Sequence, residues 1–264
     1  ILMIRMVLRK MWNNPWMMIC LLIGSILAVA MVSSIPMYTD GVLQRMLTKD
    51  MEDYQLETGF YPGRYHVKGS FYSNYVQEDR ARAFRVFDRT ITEDLIPDID
   101  LPIISRTRNV TLDYFSALPE VQREEEPKKR NVKIDGVQEL QEHAEILHGR
   151  MFSGEKQGDC YEVIVTEQAM KDLDLRLDET YVVSDLVKRV TEPMKFKIVG
   201  VFAIKDPQDP YWFQNLWAYK SSFLMDFDLL VRDFVQTDSP LVTGAQWYFA
   251  FDYHAMTLDN IRGV

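Results

Sequence analysis

The chain has 264 residues, of which 47 % are hydrophobic and 26 % are charged, and its formal net charge at pH 7 is −9. Three basic residues and no acidic residue precede Asp40, so the remainder carries 27 Lys and Arg against 39 Asp and Glu, a net charge of −12. So acidic a segment is unsuited to nucleic acid or anionic lipid, which require a basic surface, and its charge instead favours solubility.

The first predicted element is an apolar helix. Residues 16–35 contain no charge, and the uncharged run extends from Met11 to Thr39. A bilayer core about 30 Å thick needs about 20 apolar residues in a helix. The run therefore predicts a transmembrane helix in a lipid bilayer, with Trp12, Trp16 and Tyr38 as aromatic anchors at the membrane interfaces.

The charges beside this run predict its orientation. Arg5, Arg9 and Lys10 precede it as predicted interface anchors, and basic residues concentrate on the cytoplasmic side of a membrane helix. Residues 1–39 are thus predicted to be a cytoplasmic interfacial elbow plus the transmembrane helix in the cell membrane. Residues 40–264 are predicted to form an extracytoplasmic domain.

Two alternatives to a retained membrane helix are a buried core helix and a cleaved signal peptide. The run is too long for a typical core helix. Ala28-Val29-Ala30 resembles a small-residue cleavage site, but the apolar run continues through Ile35, where a cleaved segment turns polar. A retained helix is therefore the favoured interpretation.

Small residues lie on the predicted membrane helix. Gly24 and Ala28 form a small-xxx-small pair with Ser25 beside them, and such residues let another helix approach closely in lipid. The three residues are predicted to pack against a further membrane helix. The simpler reading is an ordinary anchor that contains Gly and Ala.

The remaining elements predict an α+β domain. The apolar spacing predicts a helix over 42–54 that continues the span as a stalk, a break at 59–63 and a strand over 64–72. Further predicted helices cover 75–91, 137–149 with Gly149 as C-cap, and 221–236 with Ser221 as N-cap. Predicted strands cover 101–119 (one strand or a hairpin), 130–136, 181–190, 195–204 and 246–256, a strand-helix unit covers 160–175, and 124–130 is predicted to be a solvated loop.

The sequence lacks the common motifs of catalysis. Phosphate loops, G-x-G-x-x-G, H-E-x-x-H, C-x-x-C and G-x-S-x-G are all absent. Ser153 and Lys156 match S-x-x-K without its partner motifs, and Asp172, Asp174 and Asp178 lack the glycine of a calcium loop. We therefore expect no enzyme activity, no cofactor and no metal site.

Three short motifs carry a resemblance to a known family. They are Gly149-Arg150-Met151-Phe152, the strand-helix unit that runs from Tyr161 to Met170, and Phe196-Lys197-Ile198-Val199-Gly200-Val201-Phe202. In this order the motifs resemble the MacB/FtsX-like permeases of ABC transporters, and the basic elbow and first span resemble permeases of this type from Gram-positive bacteria. Asp178 stands where the family usually has a turn glycine.

The resemblance implies both a fold and partners. The fold would be one transmembrane helix followed by a mixed α+β domain like the MacB periplasmic core domain, with residues 73–135 as a candidate inserted subdomain. The partners would be a cytoplasmic ABC-type ATPase and either further permease helices or a second permease subunit. The function would be to couple ATP hydrolysis to movement of the outer domain, for export or release of a substrate. Because the family has three further spans, the resemblance also implies that the chain is the N-terminal part of a longer permease.

Two other function classes fit the same predicted elements. The main alternative is a single-pass, membrane-anchored extracellular ligand-binding or sensor module that signals through lateral helix contacts. An anchored hydrolase is third, because the nucleophile motifs are missing.

Overall fold

The N-terminal part of the structure is one long helix. The structure is a computed structural model that describes residues 15–71, 79–122, 130–185 and 193–256. Helix α1 runs without a break over Pro15–Thr58, 44 residues, and joins the apolar run to the predicted stalk helix. Gly59, with φ at +68°, follows its end, at the predicted break. Glycine adopts this left-handed conformation without the steric cost that other residues meet.

Within the described residues, the structure contains no helix whose length and apolar character suffice for crossing a membrane. The predicted span is therefore not confirmed.

The chain forms two compact units. One comprises residues 1–53 and 256–264, and the other is Tyr54–Ala255. The second unit is a mixed α+β domain, as predicted. Its elements, in chain order, are β1 (Arg64–Ser70), α2 (Arg80–Arg89) with a π-helical extension (Thr90–Leu95), β2 (Ile103–Pro119), β3 (Arg130–Val137), α3 (Leu140–His143), β4 (Ala144–Gly149), β5 (Cys160–Thr166), α4 (Glu167–Asp172), β6 (Thr180–Asp185), β7 (Met194–Ile204), a 3₁₀ turn (Leu216–Tyr219), β8 (Ser222–Met225), α5 (Phe227–Leu230) with a π-helical extension (Val231–Val235), β9 (Val242–Phe251) and a 3₁₀ turn (Tyr253–Ala255).

The described strands form one sheet. Their order is β1-β9-β2-β3-β8-β5-β7-β4, and β6 pairs with both β2 and β7. Strand β2 pairs with β9 over residues 103–112 and with β6 over residues 115–119. Its second pairing closes part of the sheet on itself. Strands β2, β3, β8, β5, β7 and β6 thus form a closed ring of pairings. Strands β1 and β4 are the two edges.

Two hydrophobic cores cover the two faces of the sheet. The larger core contains apolar side chains of most strands together with those of α2 and α5, including Phe84 and Leu230. The smaller core is built around aromatic residues of the segment 211–219, which pack on Phe202 of β7 and Tyr248 of β9. The aromatic residues that follow the proline-containing segment 205–210 are therefore part of a core.

The predicted helix over 137–149 is wrong. Only Leu140–His143 is helical, and Ala144–Gly149 is the edge strand β4, antiparallel to β7. Leu140 and Ala144 have helical spacing, but both are buried in the smaller core from a short turn and a strand. Tertiary pairing with β7 decides the conformation here, and Gly149 ends a strand rather than a helix.

The predicted helix over 221–236 is also wrong in its first half. Residues Ser222–Met225 form β8, which lies parallel to β3 in the middle of the sheet. The helix begins after Asp226, whose side chain accepts a hydrogen bond from the backbone N–H of Leu229 at 2.8 Å. Asp226, and not Ser221, is therefore the N-cap.

Several other predictions can be compared with the structure. Residues 103–119 form one strand rather than a hairpin, and the strand-helix unit over 160–172 is confirmed. The segment 73–135 contributes β2 and β3 to the sheet of the same domain. The solvated loop predicted at 124–130 is wrong for Arg130, which begins β3 and is buried. The rest of that loop, the helix start at 75–78 and the C-terminal helix at 257–264 lie outside the described residues.

Candidate functional site

The predicted membrane residues lie along the N-terminal half of α1. Trp16 and Tyr38 are 77 % and 76 % exposed. Gly24 and Ala28 are exposed one turn apart, and the Ser25 hydroxyl donates to the carbonyl of Leu22 at 2.9 Å, which satisfies it within the helix. The remaining predicted anchors, Arg5, Arg9, Lys10 and Trp12, lie outside the described residues.

Large apolar side chains on this part of α1 are exposed to solvent on all sides of the helix. Among the described residues they include Leu21, Leu22, Ile23, Ile26, Leu27, Val29 and Met31, each more than half exposed. A contiguous apolar surface of this kind marks a site of contact with lipid or with another protein. This surface is the first candidate functional site.

The three motifs that carry the family resemblance meet in one packed unit. The backbone N–H of Arg150 donates to the carbonyl of Val199 at 2.8 Å, which holds the end of β4 against β7. A Cβ atom on Gly149 would lie 2.2 Å from the carbonyl oxygen of Val199, and a Cβ atom on Gly200 would lie 2.2 Å from that of Arg150. Both glycines are therefore required for the close approach of these two backbones.

A buried carboxylate connects the first motif to the second. The guanidinium of Arg150 makes a two-pronged contact with Glu162 on β5, with Nη1 at 2.7 Å from Oε2 and Nη2 against Oε1. The backbone N–H of Ser153 donates to the same carboxylate at 2.9 Å. These contacts, Arg150 above all, lower the pKa of Glu162. Because Glu162 is only 5 % exposed, the pair stabilises the fold and is not free to bind a ligand.

We expect Glu162→Gln to destabilise the domain by about 1–2 kcal/mol at pH 7, because the charge-assisted hydrogen bonds weaken. The native pKa of Glu162 lies below the unfolded value of 4.5. The stabilisation is therefore fully present above pH 4.5 and is lost as the pH falls through the native pKa. Urea unfolding of both proteins between pH 7 and pH 3 measures this; a difference that stays constant over the range would contradict the assignment.

A second candidate site is a row of hydrogen-bonded polar side chains across four strands. On β1 and β9, His66 Nε2 lies 3.0 Å from Oε1 of Gln246, and the amide of Gln246 donates to Asn109 on β2 at 3.3 Å. Thr111 Oγ1, also on β2, lies 3.0 Å from the same Asn109 oxygen and 2.6 Å from Asp135 Oδ1 on β3. The Thr111–Asn109 pair lies within β2, and the other three pairs join neighbouring strands, so the row fixes the register of β1, β9, β2 and β3.

The row ends at a buried ion pair. Lys133 Nζ lies 3.0 Å from Oδ2 of Asp135, whose side chain is 1 % exposed. At the other end, burial lowers the pKa of His66, while the hydrogen bond with Gln246 opposes the shift. His66 is therefore neutral at pH 7 and donates its Nε2 proton to Gln246. Lys68 and Lys133 line a shallow trough of about 320 Å³ beside the row.

Two further cavities border the smaller core. One, of about 230 Å³, is lined by Trp212 and by the carboxamides of Gln55, Gln208, Gln214 and Asn215. The other, of about 440 Å³, lies between Phe60, Phe213 and the basic residues of β1. They share Phe60, Gln214 and Asn215 and are therefore adjacent.

The isolated motifs for catalysis and metal binding do not assemble into sites. Lys156 Nζ lies over the Tyr161 ring at 4.6 Å, while Ser153 Oγ accepts from the backbone N–H of Glu155. In the described part of the chain, no three His, Cys, Asp or Glu residues are placed to hold a metal ion. Sequence reasoning missed the polar row; its signal was the occurrence of Thr107, Asn109 and Thr111 at every second position of the predicted strand over 101–119.

No protein-family model matches the sequence, and neither does any curated protein. The solved structures that are distantly similar to the chain include the following two. The extracellular domain of the noncanonic ABC-type transporter YknZ from Gram-positive bacteria is 12 % identical, with 65 % of this chain and 75 % of that domain covered and a TM-score of 0.34. A domain of a protein named as a permease, from Porphyromonas gingivalis, is 11 % identical, with 58 % and 63 % covered and a TM-score of 0.34. Both similarities are distant and concern fold alone.

Proposed function

We propose that the chain is the N-terminal portion of a transmembrane permease subunit of a MacB/FtsX-like ABC transporter, of a Gram-positive type. Residues 16–35 cross the cell membrane, and residues 40–264 lie outside the cytoplasm. A cytoplasmic ATPase supplies the energy, and movement of the outer domain exports or releases a substrate. The chain itself catalyses no reaction.

The observation that carries the proposal is the uncharged, exposed apolar segment of α1. A helix that is apolar on all sides suits a lipid environment, because in water it would expose a large hydrophobic surface. Twenty uncharged residues at 1.5 Å each span about 30 Å, the thickness of the hydrocarbon core. Arg5, Arg9 and Lys10 favour a cytoplasmic N-terminus.

Helix α1 is also suited to transmit movement. It is one helix from Pro15 to Thr58, in which Pro36 supplies no N–H to the helical hydrogen bonds. Displacement of its apolar half by neighbouring membrane helices would move the outer domain through this helix. The converging motifs around Gly149, Arg150 and Gly200 support the resemblance to the permease family, because they form one compact unit.

Purification from the native membrane tests the partner assignment. The tagged chain is extracted in a mild detergent, and co-purifying proteins are identified by mass spectrometry and assayed for ATP hydrolysis. We expect an ATPase with a Walker A phosphate loop and vanadate-sensitive activity. Recovery of the chain without any ATPase would refute the permease assignment and favour the membrane-anchored sensor module.

We predict that Gly24→Leu lowers the recovery of this ATPase about fivefold, because the bulky side chain keeps neighbouring helices apart. An added Cβ at Gly24 has nothing within 4 Å, so the substitution causes no clash with the described residues. Ile26→Leu, at an exposed position on the side of α1 away from Gly24 and Ala28, is the matched control and leaves recovery unchanged. Equal recovery with Gly24→Leu and Ile26→Leu would exclude packing at Gly24, Ser25 and Ala28.

A further inference from the structure

Edge strand β1 carries basic side chains at every second position. Arg64, His66 and Lys68 follow one another along the strand, and all three line the cavity of about 440 Å³. Alternate residues of a strand point to the same face, so the three side chains lie in one row about 14 Å long. This row is unusual in a chain whose net charge is −9.

His66 and Lys68 turn their backbone groups to the free edge, whereas the N–H of Arg64 donates to the carbonyl of Pro62 at 3.0 Å. Phe251 N–H donates to Gly63 and Phe71 N–H to Thr243, so the odd-numbered residues of this segment make the hydrogen bonds with β9. In an antiparallel ladder the intervening residues direct their N–H and C=O groups away from that partner. His66 and Lys68 thus present outward backbone groups, and no other described strand pairs with β1.

Arg64 and Lys68 carry the charges of this row, since His66 is neutral at pH 7, and these two charges are not neutralised locally. Arg64 lies over the ring of Phe60 at 4.4 Å, and neither Arg64 nor Lys68 forms an ion pair with another described residue. On the opposite face of β1, Tyr65 is 37 % exposed and Val67 is partly buried against the larger core. The two faces of the edge therefore differ: one is basic and concave, and the other is apolar.

We propose that β1 binds an extended acidic segment of a partner protein, which adds to the sheet as an antiparallel strand. Acidic side chains at alternate positions lie opposite Arg64, His66 and Lys68 in the cavity, and apolar side chains between them lie beside Tyr65 and Val67. Strand addition provides backbone hydrogen bonds for affinity, and alternate side chains provide specificity.

Basic side chains on an edge strand also have a protective role, because they prevent the edges of two copies from pairing. Repulsion between like charges is sufficient for that protective role. Binding of a segment also requires space for its side chains, and the concave cavity bounded by Phe60, Phe213, Gln214 and Asn215 provides that space.

The test uses the full chain in neutral detergent and the peptide acetyl-Glu-Val-Glu-Val-Glu-amide, with binding measured by calorimetry. We expect saturable binding that weakens with salt and is absent for the Lys-Val-Lys-Val-Lys analogue. The double variant R64E/K68E weakens binding about tenfold or more, because two ion pairs become repulsive. Lys171→Glu on α4, an exposed charge reversal next to β5 and away from β1, leaves binding unchanged.

Backbone methylation separates strand addition from simple charge attraction. Methyl groups on the Glu nitrogens block the hydrogen bonds that face β1 and abolish binding, whereas methyl groups on the Val nitrogens leave it intact. Equal effects of the two methylation patterns, or equal binding to wild type and R64E/K68E, would overturn the proposal. Binding of polygalacturonate with no binding of the peptide would likewise overturn it and assign the row to an acidic glycan.

Discussion

Gly200→Ala is expected to destabilise the domain by about 3 kcal/mol or more, a large fraction of the stability of a typical domain. The new Cβ would lie 2.2 Å from the carbonyl oxygen of Arg150 and 3.2 Å from Cγ2 of Ile164. The first contact is with backbone, which cannot move without separating β4 from β7. The same displacement would pull Arg150 away from Glu162, so two stabilising features fail together.

Gly154→Ala is the matched control for this experiment. Its added Cβ meets only the Asp226 side chain, at 3.8 Å, which is an ordinary van der Waals distance. We expect a change within about 0.5 kcal/mol for this variant. Urea unfolding in detergent, followed by the near-ultraviolet circular dichroism of the buried aromatic residues, measures both. Equal stability of Gly200→Ala and wild type would mean that the close approach is not required.

The second large effect is expected from charges placed in the apolar half of α1. Leu22→Arg combined with Ile26→Arg should release the chain from membranes, because each arginine at the centre of a membrane helix costs about 2.5–3.5 kcal/mol. Both side chains are more than half exposed, so neither change removes a packed core residue among the described ones. The measurement is the fraction of protein that sediments with membranes after an alkaline carbonate wash.

Met46→Arg combined with Leu56→Arg provides the control on the same helix. Met46 is 55 % and Leu56 is 74 % exposed, and both lie beyond the uncharged run. We expect this control to sediment with membranes like the wild type. If the Leu22 and Ile26 variant sediments equally well, the apolar half of α1 does not lie in the bilayer.

Local sequence signals were sufficient where short-range chemistry determines the structure. The unit from Cys160 to Asp172 was predicted because an apolar β-branched run is followed by Thr166, whose hydroxyl accepts from the N–H of Ala169 at 3.1 Å and caps the helix. The break after α1 was predicted in the same way, from the glycines at 59 and 63.

Local sequence signals failed to predict segments whose conformation is determined by strand pairing in the sheet. All four residues of β8 are buried in the centre of the sheet, so the strand has no polar alternation that would distinguish it from a buried helix. The segment that leads into β4 has helical spacing of Leu140 and Ala144, but pairing of β4 with β7 outweighs that weak preference.

The candidate sites also differ in whether the sequence alone could reveal them. The apolar run of α1 is a contiguous property of the sequence and was visible at once. The polar row joins residues that are up to 180 positions apart, such as His66 and Gln246. Their proximity depends on the register of β1, β9, β2 and β3, which the sequence pattern alone does not provide.

The location of the domain is tested most directly by thiol labelling on intact protoplasts. In a chain with Cys20→Ser and Cys160→Ser, which removes both free cysteines, a single cysteine is placed at Lys171 or at Asn14. A membrane-impermeant maleimide is predicted to label Lys171→Cys in intact protoplasts and Asn14→Cys only after lysis. Labelling of Lys171→Cys only after lysis would contradict an extracytoplasmic domain held by a membrane-spanning α1.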